Sequence, residues 1–332
     1  MTNNTATNDT APNNTETDDV EPEEDVTLFK GASNNSYFEV YFNALPEPGV
    51  EGLECEKLTV DLRPERDVTL YVETYNPRAS IPLIVTPGGM GEIGGFGGFA
   101  RNVAAAAPDF RVIIWDRRNM GRSGINFGTE PLSIEEAEDL HVLIERLGVG
   151  PAAFYGMSSG ARSNMVLAER YPDDVAAFVI APLTGGPIAA SQLPEEYYLK
   201  YVNDDRLTSM EEVAKTPLWS AYVDRNGPEG SEELMRQDVS EFLGAMKRAG
   251  EHLQSYSQKT TLGMTDEQLT GLRVPATLIL HHGQEVDTLH PIVHSRAATT
   301  LLQNSTFEFA PTLKPILELL LPFVREHTPS LP

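Results

Sequence analysis

Ala152-Ala153-Phe154-Tyr155-Gly156-Met157-Ser158-Ser159-Gly160-Ala161 is the stretch on which the fold turns. Its first four residues form an apolar run that predicts a short buried strand. The next five are a G-x-S-x-G pentapeptide, and Ala161 to Tyr171 predicts a helix. A tight strand-to-helix turn of this kind strains its central serine and lifts the hydroxyl above the sheet edge, provided small neighbours let the chain segments pass closely. Ser158 is therefore a candidate nucleophile. The backbone N–H of Ser159, at the start of a helix, is a candidate donor to a developing oxyanion.

A bare G-x-S-x-G is common by chance, so its context decides. Ile81-Pro82-Leu83-Ile84-Val85-Thr86-Pro87-Gly88-Gly89-Met90-Gly91 predicts a buried strand that runs into a glycine-rich loop. Gly89 or Met90 could supply a second oxyanion donor. Glycines continue at 94, 95, 97 and 98, but no G-x-x-x-x-G-K-[ST] is present, which argues against a nucleotide site. Arg111 to Trp115 predicts another strand, ending in Asp116-Arg117-Arg118-Asn119-Met120-Gly121-Arg122-Ser123-Gly124. Asp116 is read there as structural, tying down the turn through hydrogen bonds and arginine pairing. A late strand, Val274 to Leu280, leads through His281-His282-Gly283 into Gln284-Glu285-Val286-Asp287-Thr288-Leu289-His290-Pro291, where Asp287 is placed to orient a histidine.

These four motifs, in this order, resemble the α/β-hydrolase superfamily over about residues 55 to 332. Thr86-Pro87-Gly88-Gly89, Trp115-Asp116-Arg117-Arg118-Asn119 and Asp287…His290-Pro291 are similar to a bacterial group that includes hydrolases of phthalate half-esters. The resemblance implies Ser158 as nucleophile and Asp287 as the acid. Glu285 is the alternative acid, because Asp287 stands one residue further from Gly283 than this loop usually allows.

One departure is large. The superfamily carries its catalytic histidine after the eighth strand, here Ser305 to Ala310, and the loop Pro311-Thr312-Leu313-Lys314-Pro315 contains none. His327 ends an amphipathic helix and is read as solvated. A serine hydroxyl without a base is a poor nucleophile, and general-base assistance is worth about 10²–10⁴-fold. His290 is the first candidate for a relocated base, set against a plainer reading as a helix-start residue bonded to Asp287. His282 and His294 are expected near the same edge. His281 and His282 are expected on opposite faces of their strand. Lys314 falls near the superfamily's histidine position, and would need strong burial to act as a base. His141 and His252 are read as surface or half-buried. No Cys/His or H-E-x-x-H spacing points to a metal site, and no cofactor is expected.

Composition sets the outer bounds. The chain has 332 residues and a formal net charge of −24. Residues 1–25 hold eight acids and no base, which predicts a disordered tail. The remainder still carries 41 acids against 25 bases, a net of −16. Nucleic acid and anionic membranes are poor partners for such a body, whereas a neutral small-molecule substrate is not repelled. The single Cys55 allows no intrachain disulfide, which points to a reducing, cytoplasmic setting. Neither a signal-peptide pattern nor an apolar run of membrane-spanning length is found. The N-x-[ST] sequons at Asn3, Asn8, Asn13 and Asn34 are read as compositional chance.

The expected architecture is an α/β fold, with a mostly parallel central sheet flanked by helices and a helical cap. Its parts are an acidic tail (1–30), a first core segment (31–183), the cap (184–269) and a last core segment (270–332). A short strand is expected at Tyr37 to Phe42. Leu58–Leu62 and Val68–Tyr75 predict a hairpin. Within the cap, Glu195–Tyr201, Glu211–Ala214, Glu232–Ala249 and Thr265–Leu269 predict helices. Most of its apolar residues, Met235 among them, are expected to pack its own core, and Met90 and Met157 to wall a pocket over Ser158. The function this supports is hydrolysis of a small or medium, largely apolar carboxylic ester through an acyl-enzyme at Ser158. The alternative is a non-hydrolytic protein of the same fold, motivated by the missing histidine. Oligomeric state is not legible in the sequence.

Overall fold

Eight segments of five to seven residues, the central ones apolar and the first and last largely polar, assemble into one sheet. The computed structural model describes Met1, residues 53–283 and residues 287–331. The acidic tail, its sequons, the expected strand at Tyr37–Phe42 and the alternative acid Glu285 lie outside the described residues. From Leu53 on, the described residues form one compact unit.

The strands are β1 (Cys55–Asp61), β2 (Thr69–Tyr75), β3 (Ile81–Thr86), β4 (Phe110–Trp115), β5 (Ala152–Gly156), β6 (Val175–Ile180), β7 (Thr277–His281) and β8 (Ser305–Phe309). Their order is β1-β2-β4-β3-β5-β6-β7-β8. The predicted hairpin is β1 and β2, antiparallel to each other, and β2 is antiparallel to β4. Every later pairing is parallel. β5 thus lies centrally between β3 and β6, and the loops leaving β3, β5, β6 and β7 share the carboxyl edge of the sheet, where ligands bind in such folds.

Helices α1 (Ile93–Ala106), α2 (Leu132–Leu147) and α3 (Ser159–Arg170) connect the first parallel strands. Because β-strand side chains alternate, both faces need covering. Ile84 and Phe154 pack on one face with Leu140 of α2 and Met165 of α3. Leu83, Val85, Ala153 and Tyr155 pack on the other with Phe96 and Phe99 of α1. Burying each large apolar side chain contributes about 1.5–3 kcal/mol.

α1 starts earlier than its composition suggests. Glycines 94, 95, 97 and 98, expected as loop, lie inside it. Asp116 explains this: its Oδ1 accepts the Ile93 N–H at 2.6 Å, fixing the first turn, and its Oδ2 accepts the Arg122 N–H at 2.9 Å. The structural reading of Asp116 holds, with backbone N–H groups rather than arginine side chains as its hydrogen-bond partners. Burial pushes its carboxyl up to about 6, against the pull of those two bonds. The following arginines pair with α2 instead. Arg118 binds Asp139 through two nitrogens at 2.6 and 2.5 Å, and Arg117 binds Glu136 at 3.1 Å. Removing one partner from a buried pair of this kind costs about 3–5 kcal/mol.

Between β6 and β7 the regular elements of the described chain are helices joined by turns, with an isolated bridge between Thr261 and Met264. It runs through α4 (Gly186–Pro194), a π turn at Glu195–Leu199, α5 (Lys200–Val202), α6 (Met210–Val213), α7 (Pro217–Met235), α8 (Val239–Gln254) and α9 (Asp266–Gly271). α4 was not anticipated. The single helix expected over Glu232–Ala249 is two, because the Asp238 carboxylate accepts the N–H groups of Ser240 and Glu241 and starts α8 afresh. Trp219, Tyr222, Leu234, Phe242 and Met246 form the insertion's own core, while Met235 is exposed rather than buried. α10 (Ile292–Leu301) and α11 (Leu313–His327) complete the chain. His327 is half-buried with its ring against Phe323. Among the described residues, no helix is long and apolar enough to cross a membrane.

Candidate active site

The elbow is built from close approaches. A Cβ on Gly156 would lie 2.5 Å from the Cα of Ala161, and one on Gly160 would lie 2.3 Å from the Thr86 carbonyl oxygen. A side chain at Gly156 would push α3 away from β5, and one at Gly160 would push the turn off β3. Ser158 between them has φ 50° and ψ −113°, a strained conformation for a residue with a Cβ. It is half-buried. Thr86 braces the same corner: its hydroxyl accepts the Trp115 indole N–H at 3.1 Å and lies 2.8 Å from Asn164 Oδ1.

The glycine-rich loop after β3 is held to the elbow. Ser159 Oγ donates to the Gly89 carbonyl at 3.0 Å, and Arg117 donates to the same oxygen. Gly89 has φ 59°. Met90 is half-buried against the core of the helical insertion. Met157 departs from expectation: it is buried in the sheet core with Tyr155 and Ala181, so it does not wall a pocket.

The loop after β7 brings the remaining groups. His290 Nε2 lies 3.0 Å from Ser158 Oγ, and its Nδ1 lies 2.8 Å from Asp287 Oδ2. Asp287 Oδ1 accepts the backbone N–H groups of Leu289 and His290 at 3.0 and 3.2 Å. A second histidine, His282, places Nε2 3.0 Å from the same Oδ2. Burial alone would raise the Asp287 carboxyl; the hydrogen bonds from His282 and His290 overcome it and hold the carboxyl well below the usual range. An ionised carboxylate only accepts, so His290 carries its proton on Nδ1 and turns a lone pair on Nε2 toward Ser158. The Thr184 hydroxyl, in the segment that follows β6, lies 2.7 Å from Ser158 Oγ. With the serine proton directed to Nε2, Thr184 is the donor of that pair.

His281 holds the His290 backbone from behind. Its Nδ1 accepts the Gly283 N–H at 2.9 Å, so Nε2 bears the hydrogen and donates to the His290 carbonyl at 2.9 Å. Burial lowers its pKa, consistent with this neutral form. The expectation that His281 and His282 face opposite ways fails. The strand ends at His281, alternation ends with it, and the two rings stack with centroids 4.6 Å apart. His294 is engaged elsewhere, with Nδ1 3.0 Å from the Thr260 carbonyl. Lys314 is exposed and pairs with Glu318. His141 is held by Asp174 at 2.7 Å.

His282, Asp287 and His290 also form the one grouping, among the described residues, whose donor atoms lie close enough to share a cation, within 4.8 Å of one another. Both histidine nitrogens converge on a single carboxylate oxygen at hydrogen-bond distance. A zinc ion would instead need all three groups about 2.0–2.2 Å from a common centre. The observed arrangement is that of two N–H donors sharing one acceptor.

Thr184 escaped the sequence reading, and His282, expected near this edge, was not assigned its bond to Asp287. The pairing of His282 with Asp287 had a signal in their short separation. Thr184 had only its place in the segment that follows a strand.

Comparisons with known proteins agree with this architecture. The family model for the α/β-hydrolase fold matches residues 81–238. A candidate carbamate hydrolase, RutD, of Caulobacter sp. strain K31 is 25% identical over 248 residues, covering 73% of this chain and 87% of the relative. A 2-hydroxy-6-oxononadienedioate/2-hydroxy-6-oxononatrienedioate hydrolase of Burkholderia vietnamiensis strain G4 is 27% identical over 195 residues, 56% of this chain and 64% of that relative. Among solved structures, the bromoperoxidase of Bacillus anthracis has a TM-score of 0.55 at 18% identity, with coverage of 81% of this chain and 100% of that one. The carboxylesterase CesB of Bacillus subtilis has a TM-score of 0.53 at 18% identity, with 87% and 96% covered. At these identities the structural likeness is one of fold. From the matched segment, the strand order and the elbow together, the chain has the α/β-hydrolase fold.

Proposed function

We propose that this chain is a serine hydrolase that cleaves a small or medium, largely apolar carboxylic ester through an acyl-enzyme at Ser158. The observation that carries the reading is the continuous hydrogen-bonded line from Ser158 Oγ to His290 to Asp287, at 3.0 and 2.8 Å. Nucleophile, base and orienting acid stand in the order that serine acyl transfer requires.

In the first half-reaction the Ser158 proton passes to His290 Nε2 as Oγ bonds to the ester carbonyl carbon. The N–H of Ser159 and that of Gly89 or Met90 receive the oxyanion. As the tetrahedral intermediate collapses, the bond to the leaving alcohol breaks and Nε2 returns its proton to that oxygen. Water then attacks the acyl-enzyme by the same route, releasing the acid and restoring Ser158. Asp287 remains ionised throughout and stabilises the imidazolium. Thr184 donates to Oγ and steadies the charge that grows there.

The helical insertion acts as the cap. Met90 and the insertion core supply apolar surface beside the glycine-rich loop, which suits an apolar acyl or alcohol group. The non-hydrolytic alternative rested on the missing histidine, and His290 at 3.0 Å from Ser158 favours the hydrolytic reading over it. The test is hydrolysis of short-chain p-nitrophenyl esters by the parent and by Ser158→Ala. Turnover abolished in the variant supports the proposal, and equal turnover in both overturns it.

A further inference from the structure

One turn beyond Ser158 on α3, Arg162 is 6% exposed. Its Nε has no acceptor among the described residues. The adjoining acid, Glu136, is already taken: it binds Arg117 at 3.1 and 3.3 Å and accepts the Ser163 hydroxyl. Two buried guanidinium groups therefore lie beside one carboxylate, which Arg117 already occupies, and one positive charge is left over. A guanidinium does not shed that charge by losing its proton. Leaving a buried charge uncompensated is costly.

Arg162 opens on a small cavity of about 10 Å³, lined also by Leu132, Glu136, Tyr198, Ala249, His252 and Leu253. That is room for one water-sized atom. Tyr198 is buried and lines the same cavity. Burial lowers the pKa of His252, and the neighbouring Arg162 lowers it further, so that ring adds no second positive charge at neutral pH. The arginine stem cannot swing away freely. Gly263, with φ 91°, packs so closely that a Cβ there would overlap Arg162 Cδ.

We propose that this cavity binds a single halide-sized anion, chloride in ordinary solution, held by Arg162 with Tyr198 as a second donor. The cavity is far too small for a carboxylate or phosphate, a halide enters it by spreading the lining by a few tenths of an ångström, and the surplus positive charge favours an anion over water. The ion bridges the elbow helix α3 to the insertion, through Tyr198 of the π turn and the α8 residues Ala249, His252 and Leu253. It therefore couples anion binding to how firmly the insertion seats beside the elbow, independently of what substrate Ser158 attacks.

The test is a crystal of the whole chain grown with sodium bromide and measured at the bromine absorption edge. The expected result is an anomalous peak within hydrogen-bond distance of Arg162 Nε. A map with water or nothing at that place overturns the proposal, whatever else is observed. In solution, the melting temperature in sodium chloride should exceed that in sodium gluconate of equal ionic strength by a few degrees, rising to saturation as mass action requires. The difference should shrink in Tyr198→Phe and vanish in Arg162→Met. Superimposable chloride and gluconate curves for the parent count against the site. The parent comparison and the bromide map stand even if Arg162→Met does not fold.

Discussion

The loops after β7 and β8 leave neighbouring parallel strands, in register from His281 opposite Phe309, yet they differ in almost every respect that matters to chemistry. The β7 loop presents His282, Asp287 and His290, all buried and joined by hydrogen bonds. Across the described residues of the β8 loop the contrast is plain: Lys314 is 85% exposed at the head of α11. The superfamily resemblance places the base in the second loop, and the geometry places an imidazole against Ser158 from the first. A base is defined by where its nitrogen lies relative to Oγ, and a different loop can deliver it if the turn is stiff enough. Here the stiffness comes from Asp287, which ties its own turn through the Leu289 and His290 N–H groups, and from His281, which holds the His290 carbonyl.

The contrast breaks most visibly in a pair of substitutions. His290→Ala should lower kcat by on the order of 10⁴-fold or more, as removing a member of a concerted triad does. Lys314→Ala should leave it unchanged. Steady-state ester hydrolysis measures both, and a large loss with Lys314→Ala would reverse the assignment. Asp287→Asn comes next, with a loss of roughly 10²–10⁴-fold in kcat, because an amide can no longer hold the tautomer that turns a lone pair on Ser158. His282→Gln should cost about tenfold, equivalent to one charge-assisted hydrogen bond of about 1.4 kcal/mol, and should change kcat rather than KM. A change confined to KM would mean that His282 touches substrate instead of the acid.

The smallest effect is on stability against acid. The Asp287 carboxyl is held well below its unfolded value, which is about 3.9. Its contribution is therefore fully present above about pH 4 and is lost as pH falls toward the folded value. Denaturant unfolding across pH should give a stability gap between the parent and Asp287→Asn that is widest at neutral pH and narrows below pH 4. A gap that widens in acid would contradict the sign.

Local patterns made much of this legible. The elbow, the glycine-rich loop and the parallel strands are short-range signals, and the Asp287-x-x-His290 spacing put the candidate acid and candidate base in one turn. What stayed hidden depends on contacts far apart in the chain. Thr184 meets Ser158 across 26 residues, and Asp116 reaches back to start α1 among glycines that look like a loop. The stacking of His281 on His282 depends on where β7 stops, which no periodicity reveals. The break before α8 did carry a signal, since Asp238 followed by Glu241 is a helix-start pattern. The long acidic and apolar run around it read as one continuous helix.

Covalent labelling by a fluorophosphonate, with the modified residue located by mass spectrometry, tests the central claim most directly. The account predicts that Ser158 of the parent is labelled, and that His290→Ala slows labelling by about 10²–10⁴-fold, the usual worth of a general base. Equal labelling rates in the two proteins, or modification at a residue other than Ser158, would contradict it.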